Sequence, residues 1–89
     1  MKLTSAAIRK RILLKLFTHR IWGGKHTDYD LVPRGFPKDQ GQDVRKELDQ
    51  LIREGFIVTK PAHYGLQVSL NVRRKAEIEQ IVFGAGENR

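Results

Sequence analysis

The chain begins with a run in which apolar residues recur every three or four positions, separated by cationic residues. The apolar side chains with this spacing are Ile8, Ile12, Leu13, Leu16 and Phe17. Such spacing is typical of a helix with one buried face. Thr4 stands where an N-cap hydroxyl belongs, and the glycine pair Gly23-Gly24 supplies backbone conformations that end helices. We therefore predict a first helix over Ser5–Arg20.

Two further helical segments follow, separated by a proline-rich turn. Thr27 can cap a short second helix over Asp28–Val32, which Pro33 limits because proline disfavours helical geometry in the residue before it. Pro37 or Lys38 then opens a third helix, since a first helical position needs no amide donor. The apolar stripe of this third helix consists of Val44, Leu48, Leu51 and Ile52.

Beyond Gly55, which stands at a C-terminal cap position, the pattern changes from helix to strand. Phe56–Lys60 is rich in β-branched and aromatic residues, and Leu66–Leu70 alternates between apolar and polar. With Pro61–Gly65 as a turn between them, the two strands predict a hairpin. An isolated hairpin is marginally stable in water, so one face must pack on the helices. The residues expected on that face are Phe56, Val58, Leu66, Val68 and Leu70.

A last helix is predicted to start at Asn71 or Arg73. Its apolar residues are Ala76, Ile78, Ile81 and Val82. Eighty-nine residues suit one domain, which we place at residues 1–83, with Gly84–Arg89 as a flexible tail. We expect one core to join the third helix to the hairpin, formed by Val44, Leu48, Leu51, Phe56, Val68 and Leu70. The predicted fold class is α+β, with a three-helix core, a two-stranded hairpin and a C-terminal helix.

Positive charge is concentrated near the start of the chain. The formal net charge is +7, and residues 1–25 contain seven lysines and arginines and no acidic residue. Residues 26–54 contain five basic and seven acidic residues, and residues 55–89 contain five and three. A basic balance favours polyanionic partners, nucleic acid first and anionic membrane second. The membrane is the weaker choice because the apolar face of the first helix is needed for the core.

Several other classes of protein are disfavoured by what the chain lacks. It has no cysteine, so it offers neither disulfides nor thiolate zinc ligands. It shows no secretory signal and no apolar run of the ~20 residues that span a bilayer, which predicts a cytoplasmic protein. We find no glycine-rich phosphate loop and no nucleophile with a base, so we predict no enzymatic activity, cofactor or small-molecule substrate. His26 and Asp28 form the only closely spaced pair of metal ligands, too few for a predicted metal site.

The chain resembles the winged helix-turn-helix superfamily over nearly its whole length. In those domains a third helix typically ends in Glu-Gly and runs directly into a strand that begins with an aromatic residue. The segments that carry this resemblance are Val44–Leu48, Leu51–Val58 and Tyr64–Leu66. A narrower resemblance, to a group of small archaeal winged-helix proteins, lies in His26–Asp28, Gly35–Pro37 and Tyr64–Asn71. This narrower resemblance bears on the fold more than on the function.

The resemblance implies double-stranded DNA binding and regulation of transcription, either sequence-specific or architectural. The third helix would enter the major groove, where glutamine pairs with adenine and arginine or lysine with guanine. The hairpin, or wing, would reach the backbone. The residues expected to contact DNA are Arg34, Lys38, Gln40, Gln42, Arg45, Lys46, Lys60, His63 and Tyr64. Further phosphate contacts are expected from Arg9, Lys10 and Thr27.

The charge of the third helix leaves an alternative open. This helix and its flanks carry five acidic residues, Asp39, Asp43, Glu47, Asp49 and Glu54. Carboxylates beside a phosphate lattice oppose binding. A winged-helix adaptor for a protein or RNA partner, without DNA-reading activity, is therefore the second hypothesis. A homodimer through the terminal helices is also expected, with Ile78, Ile81 and Val82 as its candidate face.

Overall fold

A computed structural model describes residues 2–84 of the chain. The first helix, α1, spans Ser5–Thr18, and the Thr4 hydroxyl accepts a hydrogen bond from the Ala7 amide, as predicted for the N-cap. The helix ends two residues before the predicted Arg20. Arg20 has a φ of 56°, which allows the Ile21 amide to donate to the Leu16 carbonyl and closes the last turn.

The second predicted helix is replaced by a short strand and a single turn. Strand β1 spans Thr27–Asp28 and is followed by a 3-10 turn over Tyr29–Leu31. Thr27 is therefore a strand residue and not a helix cap, which corrects the sequence prediction. The physical reason is a long-range interaction, because the backbone of β1 pairs with a strand that lies about 40 residues further along the chain. Only one helical turn then fits between β1 and Pro33.

The third predicted helix begins as a 3-10 turn over Lys38–Gln40 and continues as α2 over Gly41–Arg53. Its residues Val44, Leu48 and Leu51 are fully buried. Gly55 ends the helix with a φ of 87°, and the next amide returns to the Leu51 carbonyl. A side chain at Gly55 would be strained, because its Cβ would also lie 3.0 Å from Nη1 of Arg74.

The hairpin is formed by β2, Ile57–Ala62, and β3, Gly65–Leu70, which pair from Ile57 with Leu70 to Ala62 with Gly65. It is longer than predicted, since a two-residue turn replaces the five-residue insert. β1 adds to the other edge of β3, so the sheet is three-stranded and antiparallel in the order β1-β3-β2.

Two residues predicted to face the core are exposed. Val58 pairs with Ser69 on the sheet face opposite to that of Val68 and Leu70, and it is 39% exposed. Leu66 shares the face of Val68 but lies further out along the hairpin, beyond the helices, and is 41% exposed. The strand begins at Ile57 rather than Phe56, which shifts the alternation of β2 by one residue and places Ile57 in the core.

The last helix, α3, spans Lys75–Phe83 after a 3-10 turn over Val72–Arg74 that the Asn71 side chain caps. Ile78 and Val82 of α3 are buried in the core, so they are not a free dimerisation face, which corrects that expectation. The predicted tail lies outside the described residues beyond Gly84. Between residues 2 and 84, no helix is long and apolar enough to cross a membrane.

One core connects the helices and the sheet, and the six residues predicted to form it are all buried in it. The residues confirmed in this way are Val44, Leu48, Leu51, Phe56, Val68 and Leu70. Trp22 packs against the core edge, with its ring 5.7 Å from that of Phe17. The described part of the molecule is thus an α+β fold with three α-helices and a three-stranded antiparallel sheet.

Candidate functional site

The exposed face of α2 presents two polar side chains that have no partner among residues 2–84. Gln42 and Lys46 lie one helical turn apart, are exposed, and form no hydrogen bond or ion pair there. Arg45, beside them, is engaged. Its Nη1 donates to Asp30 at 2.8 Å, and its guanidinium lies 5.7 Å from the centre of the Tyr29 ring. Of these three predicted contacts, Gln42 and Lys46 are therefore the more available for a ligand.

Gln40 is removed from the candidate site by its burial. Its side chain is only 1% exposed. Its Oε1 accepts from the Leu3 amide at 2.8 Å, and its Nε2 donates to the Leu3 carbonyl at 3.0 Å. The amide also donates to Asp43. Gln40 thus ties the start of the chain to α2, and the prediction that it contacts DNA is wrong.

Three of the five acidic residues on and around α2 accept hydrogen bonds within the fold. Glu54 forms an ion pair with Arg9, and Asp49 accepts from the Tyr29 hydroxyl at 2.6 Å. Asp43 accepts from Gln40, as described above. The Arg9 guanidinium and then the Gln50 amide lower the pKa of Glu54. Among residues 2–84, Glu54 is the one of these three carboxylates that is paired with a cation, since the partners of Asp43 and Asp49 are neutral groups.

Arg9 has a structural role that the sequence prediction missed. Besides pairing with Glu54, its guanidinium lies 5.5 Å from the centre of the Phe56 ring. Arg74 lies over the same ring at 4.3 Å, donates to the Glu54 carbonyl and pairs with Glu77. Two cations therefore fasten α1 and the start of α3 to the turn after α2. Arg9 is engaged in this cluster, whereas Lys10, the next predicted phosphate contact, is exposed.

The outer half of the hairpin is exposed on both faces, because all residues from 58 to 66 are exposed. Lys60, His63 and Tyr64 lie in this part, and Tyr64 at the tip is 96% exposed, with its ring 5.3 Å from that of His63. At a strand rise of ~3.3 Å per residue, the tip extends roughly 10–13 Å beyond the buried Val68. The hairpin thus presents its three predicted contact residues to solvent.

Arg34 lies away from the α2 residues with which it was grouped. Arg34 and Lys15 line two concavities along α1. One of them also contains Arg11, and the other contains His19 and Lys25. The Lys15 ammonium donates to the carbonyls of Leu31, Val32 and Arg34, at 3.3, 3.1 and 2.7 Å. No sequence motif marked Lys15 for this role. The other predicted residues are placed separately, with Lys38 exposed at the start of its 3-10 turn and Thr27 half-buried in β1.

Among residues 2–84, no group of three or more histidine, aspartate or glutamate side chains is arranged to hold a metal ion. These observations define the protein as an α+β domain with an exposed helix that leads directly into a projecting hairpin. Comparison with protein-family models, with curated proteins and with solved structures gives no match.

Proposed function

We propose that the protein binds double-stranded DNA in the manner of the winged helix-turn-helix domains that its sequence resembles. The amino-terminal half of α2 would occupy the major groove, and the β2–β3 hairpin would contact the backbone. The observation that carries this proposal is the hairpin, whose outer half extends from the body with both faces exposed and presents Lys60, His63 and Tyr64 to solvent. The exposed outer half adds nothing to the buried core, which favours a role in binding.

The chemistry of the exposed side chains supports such contacts. A helix fits the major groove, which is about 12 Å wide, and a glutamine there can pair with adenine through two hydrogen bonds. Gln42 provides this group, and Lys46 provides a donor for guanine. On the hairpin, Lys60 and His63 can meet phosphates, and Tyr64 adds a hydroxyl donor. Arg45 would reach a base only by leaving Asp30 and Tyr29, so we assign it a smaller part.

The net charge of the chain also supports a polyanionic partner. The formal charge of +7 attracts DNA over a Debye length, which is about 8 Å at physiological ionic strength. The acidic residues of α2 act against this attraction. The ion pair of Glu54 with Arg9 neutralises one of these carboxylates but also occupies one cation of α1. In this proposal the protein regulates transcription or shapes DNA, with no catalytic step and no cofactor.

A protein or RNA adaptor is the second candidate, and the mixed charge along α2 favours it. The shallow concavities on this helix are lined by both signs, with Asp43 and Asp49 beside Arg45 and Lys46. Such a surface suits a partner that itself carries both charges better than it suits a phosphate lattice.

Binding of a random-sequence duplex across a salt series tests the proposal. We expect the logarithm of the association constant to fall linearly with the logarithm of salt, with a slope that reflects about four to six released counterions. The double variant Lys46→Ala/Lys60→Ala should weaken binding and reduce the slope by about two. The matched control Arg73→Ala/Lys75→Ala removes the same charge from exposed positions just before and at the start of α3, outside the proposed interface, and should weaken binding less. Absence of duplex binding at low salt would contradict the proposal and favour the adaptor.

A further inference from the structure

The seam between α1 and the segment that follows β1 contains a concavity in which every charged side chain is basic. Its basic residues are Lys15, His19, Lys25 and Arg34. Its other lining residues are Leu16, Ile21, Thr27, Leu31 and Val32. No aspartate or glutamate of the described chain lines it. Asp28, the nearest carboxylate in the sequence, accepts from Gln67. Asp30 is paired with Arg45. The concavity therefore has no internal counter-ion.

Lys15 places a fixed positive charge in this concavity. Its ammonium donates hydrogen bonds to the carbonyls of Leu31, Val32 and Arg34, which fixes the position of its charge beside this segment. Burial, and then the positive charge of Arg34, lower the pKa of Lys15. Lys15 and Arg34 line the same concavity, so their positive charges repel each other. A bound anion would relieve that repulsion.

The remaining cations are free to bind a ligand. The side chains of Lys25 and Arg34 are exposed and form no hydrogen bond or ion pair with the described residues. The apolar part of the lining consists of the buried Leu16, Ile21 and Val32 and the more exposed Leu31. The concavity has a volume of about 470 Å³. Small-ligand sites commonly measure ~300–1,000 Å³ and combine an apolar wall with a few polar groups.

We propose that this concavity binds a small organic anion, in which an apolar or aromatic body carries a carboxylate, sulfonate or phosphate group. The body packs on Leu31, the exposed apolar side chain of the lining, and the anionic group accepts hydrogen bonds from Lys25 and Arg34 in the field of Lys15. Charge-assisted hydrogen bonds of this kind are stronger than those between neutral groups. The concavity shares no residue with the exposed face of α2 or with the hairpin. It does include Arg34 and Thr27, which were expected from the sequence to contact DNA, so the test includes competition with a duplex.

Calorimetric titration of the full chain with 1-anilinonaphthalene-8-sulfonate, an aromatic sulfonate, tests the site. We expect one saturable site, with the largest amide chemical-shift changes near Lys25, Leu31 and Arg34. The variant Lys25→Ala/Arg34→Ala should weaken binding about tenfold or more, because it removes both free donors. The matched control, Lys46→Ala/Lys60→Ala, should leave the affinity unchanged. Unaltered affinity in the first variant, or shifts confined to the Phe17–Trp22 aromatic pair, would overturn the proposal.

Three additional experiments keep the result specific. Leu31→Asn should weaken the binding of the aromatic probe but leave the binding of inorganic pyrophosphate unchanged, since only the probe has an apolar body. Lys25→Glu, at an exposed position, replaces the double variant if that variant unfolds, and it should abolish probe binding. A saturating duplex that leaves the probe bound supports a separate small-ligand site. Displacement of the probe by duplex in the parent protein but not in Lys46→Ala/Lys60→Ala would show that the concavity holds backbone phosphate, which overturns the proposal.

Discussion

At the scale of single residues, the most consequential side chains are polar groups whose partners lie far away in the sequence. Gln40 binds the backbone of Leu3, 37 residues earlier, and Lys15 binds carbonyls that lie 16 to 19 residues further on. Both side chains hold irregular segments that lack a complete set of backbone hydrogen bonds of their own. Such groups must be paired when water is excluded, so their roles are fixed by the tertiary structure.

Replacement of Lys15 by methionine should destabilise the protein by about 1–2 kcal/mol, because three carbonyls lose a charged donor while the aliphatic stem is retained. The effect lies at the low end of the range for charged groups, since two of the three carbonyls remain close to water. The midpoint of urea unfolding measures it. Lys10→Met is the matched control on the same helix, where the lysine is exposed, and it should shift the free energy of unfolding by no more than about 0.5 kcal/mol. Equal effects of the two substitutions would contradict the assigned role.

Tyr29 makes the stability of the protein depend on pH at the alkaline end. Burial, and then the hydrogen bond to Asp49, raise the pKa of Tyr29 to about 12. An unfolded tyrosine loses its proton near pH ~10. Between these values the folded state binds more protons than the unfolded state. The stabilisation is therefore complete below pH ~10 and is lost as the pH rises towards about 12.

The absorbance of tyrosinate provides the measurement for Tyr29. One tyrosine should ionise well above the ordinary range, and this late step should be absent from Tyr29→Phe. Asp49→Ala should move the step to lower pH by removing the acceptor of the hydroxyl proton. Urea unfolding at increasing pH should show a steeper loss of stability in the parent protein than in Tyr29→Phe. Parallel curves for the two proteins would contradict the linkage.

At the scale of elements, the sequence predicts best those that bury a regular stripe. Val44, Leu48 and Leu51 recur at helical spacing, and the structure buries all three. The hairpin shows where the pattern becomes ambiguous. Phe56, Ile57 and Val58 are all apolar, so their order contains no alternation that would fix which of them faces the core. That choice depends on the turn at Gly55, which places Phe56 before the strand and turns Val58 outwards.

β1 and the basic concavity were beyond sequence prediction for a related reason. A two-residue strand has no period, and β1 exists only because β3 offers its backbone edge. Arg34 and Lys15 line the same concavity although they are far apart in the sequence. Their proximity depends on the hydrogen bonds of Lys15 to the carbonyls of the turn, which no sequence pattern reveals. Of the candidate DNA contacts, the sequence pointed to Gln42, Lys46 and the hairpin tip as exposed groups. The sequence could not identify the burial of Gln40, because the backbone of Leu3 becomes its hydrogen-bond partner only in the folded tertiary structure.

The contrast between two leucines tests the assignment of the core. Leu48→Ala on α2 should cost roughly 2–5 kcal/mol, because the side chain is fully buried and leaves a cavity. Leu66→Ala removes the same atoms from the outer half of the hairpin, where the side chain is partly exposed, and should cost much less. Urea midpoints of the two variants provide the comparison. A cost for Leu66→Ala as large as that for Leu48→Ala would mean that the hairpin is packed against the body.

At the scale of the whole molecule, charge is distributed unevenly along the chain and in space. The acid-free stretch up to Lys25 includes α1, whereas α2 combines both signs. Distant charges influence association through long-range steering, and contacts within an interface chiefly control dissociation. If the proposed function is correct, basic residues outside the interface should therefore affect the association rate of DNA, and basic residues within it should affect the dissociation rate.

Stopped-flow kinetics with a labelled duplex can separate the two effects. Arg73→Ala/Lys75→Ala, outside the proposed interface, should lower the association rate constant and leave the dissociation rate constant nearly unchanged. Lys46→Ala/Lys60→Ala should increase dissociation, because it removes groups proposed to contact the duplex. The expected difference is largest at low salt, where steering is least screened. Identical kinetics for the two variants would mean that only the net charge matters and would remove α2 and the hairpin as the interface.

The position of Pro61 has a consequence for how copies of this protein behave at high concentration. β2 is an edge strand, and its outer half is exposed on both faces, an arrangement that usually invites a second chain to extend the sheet. Proline lacks the amide donor that an added strand would need, and the neighbouring Lys60 would place like charges against each other in a symmetric antiparallel pairing centred near it. The projecting hairpin can therefore remain exposed without acting as a template for aggregation.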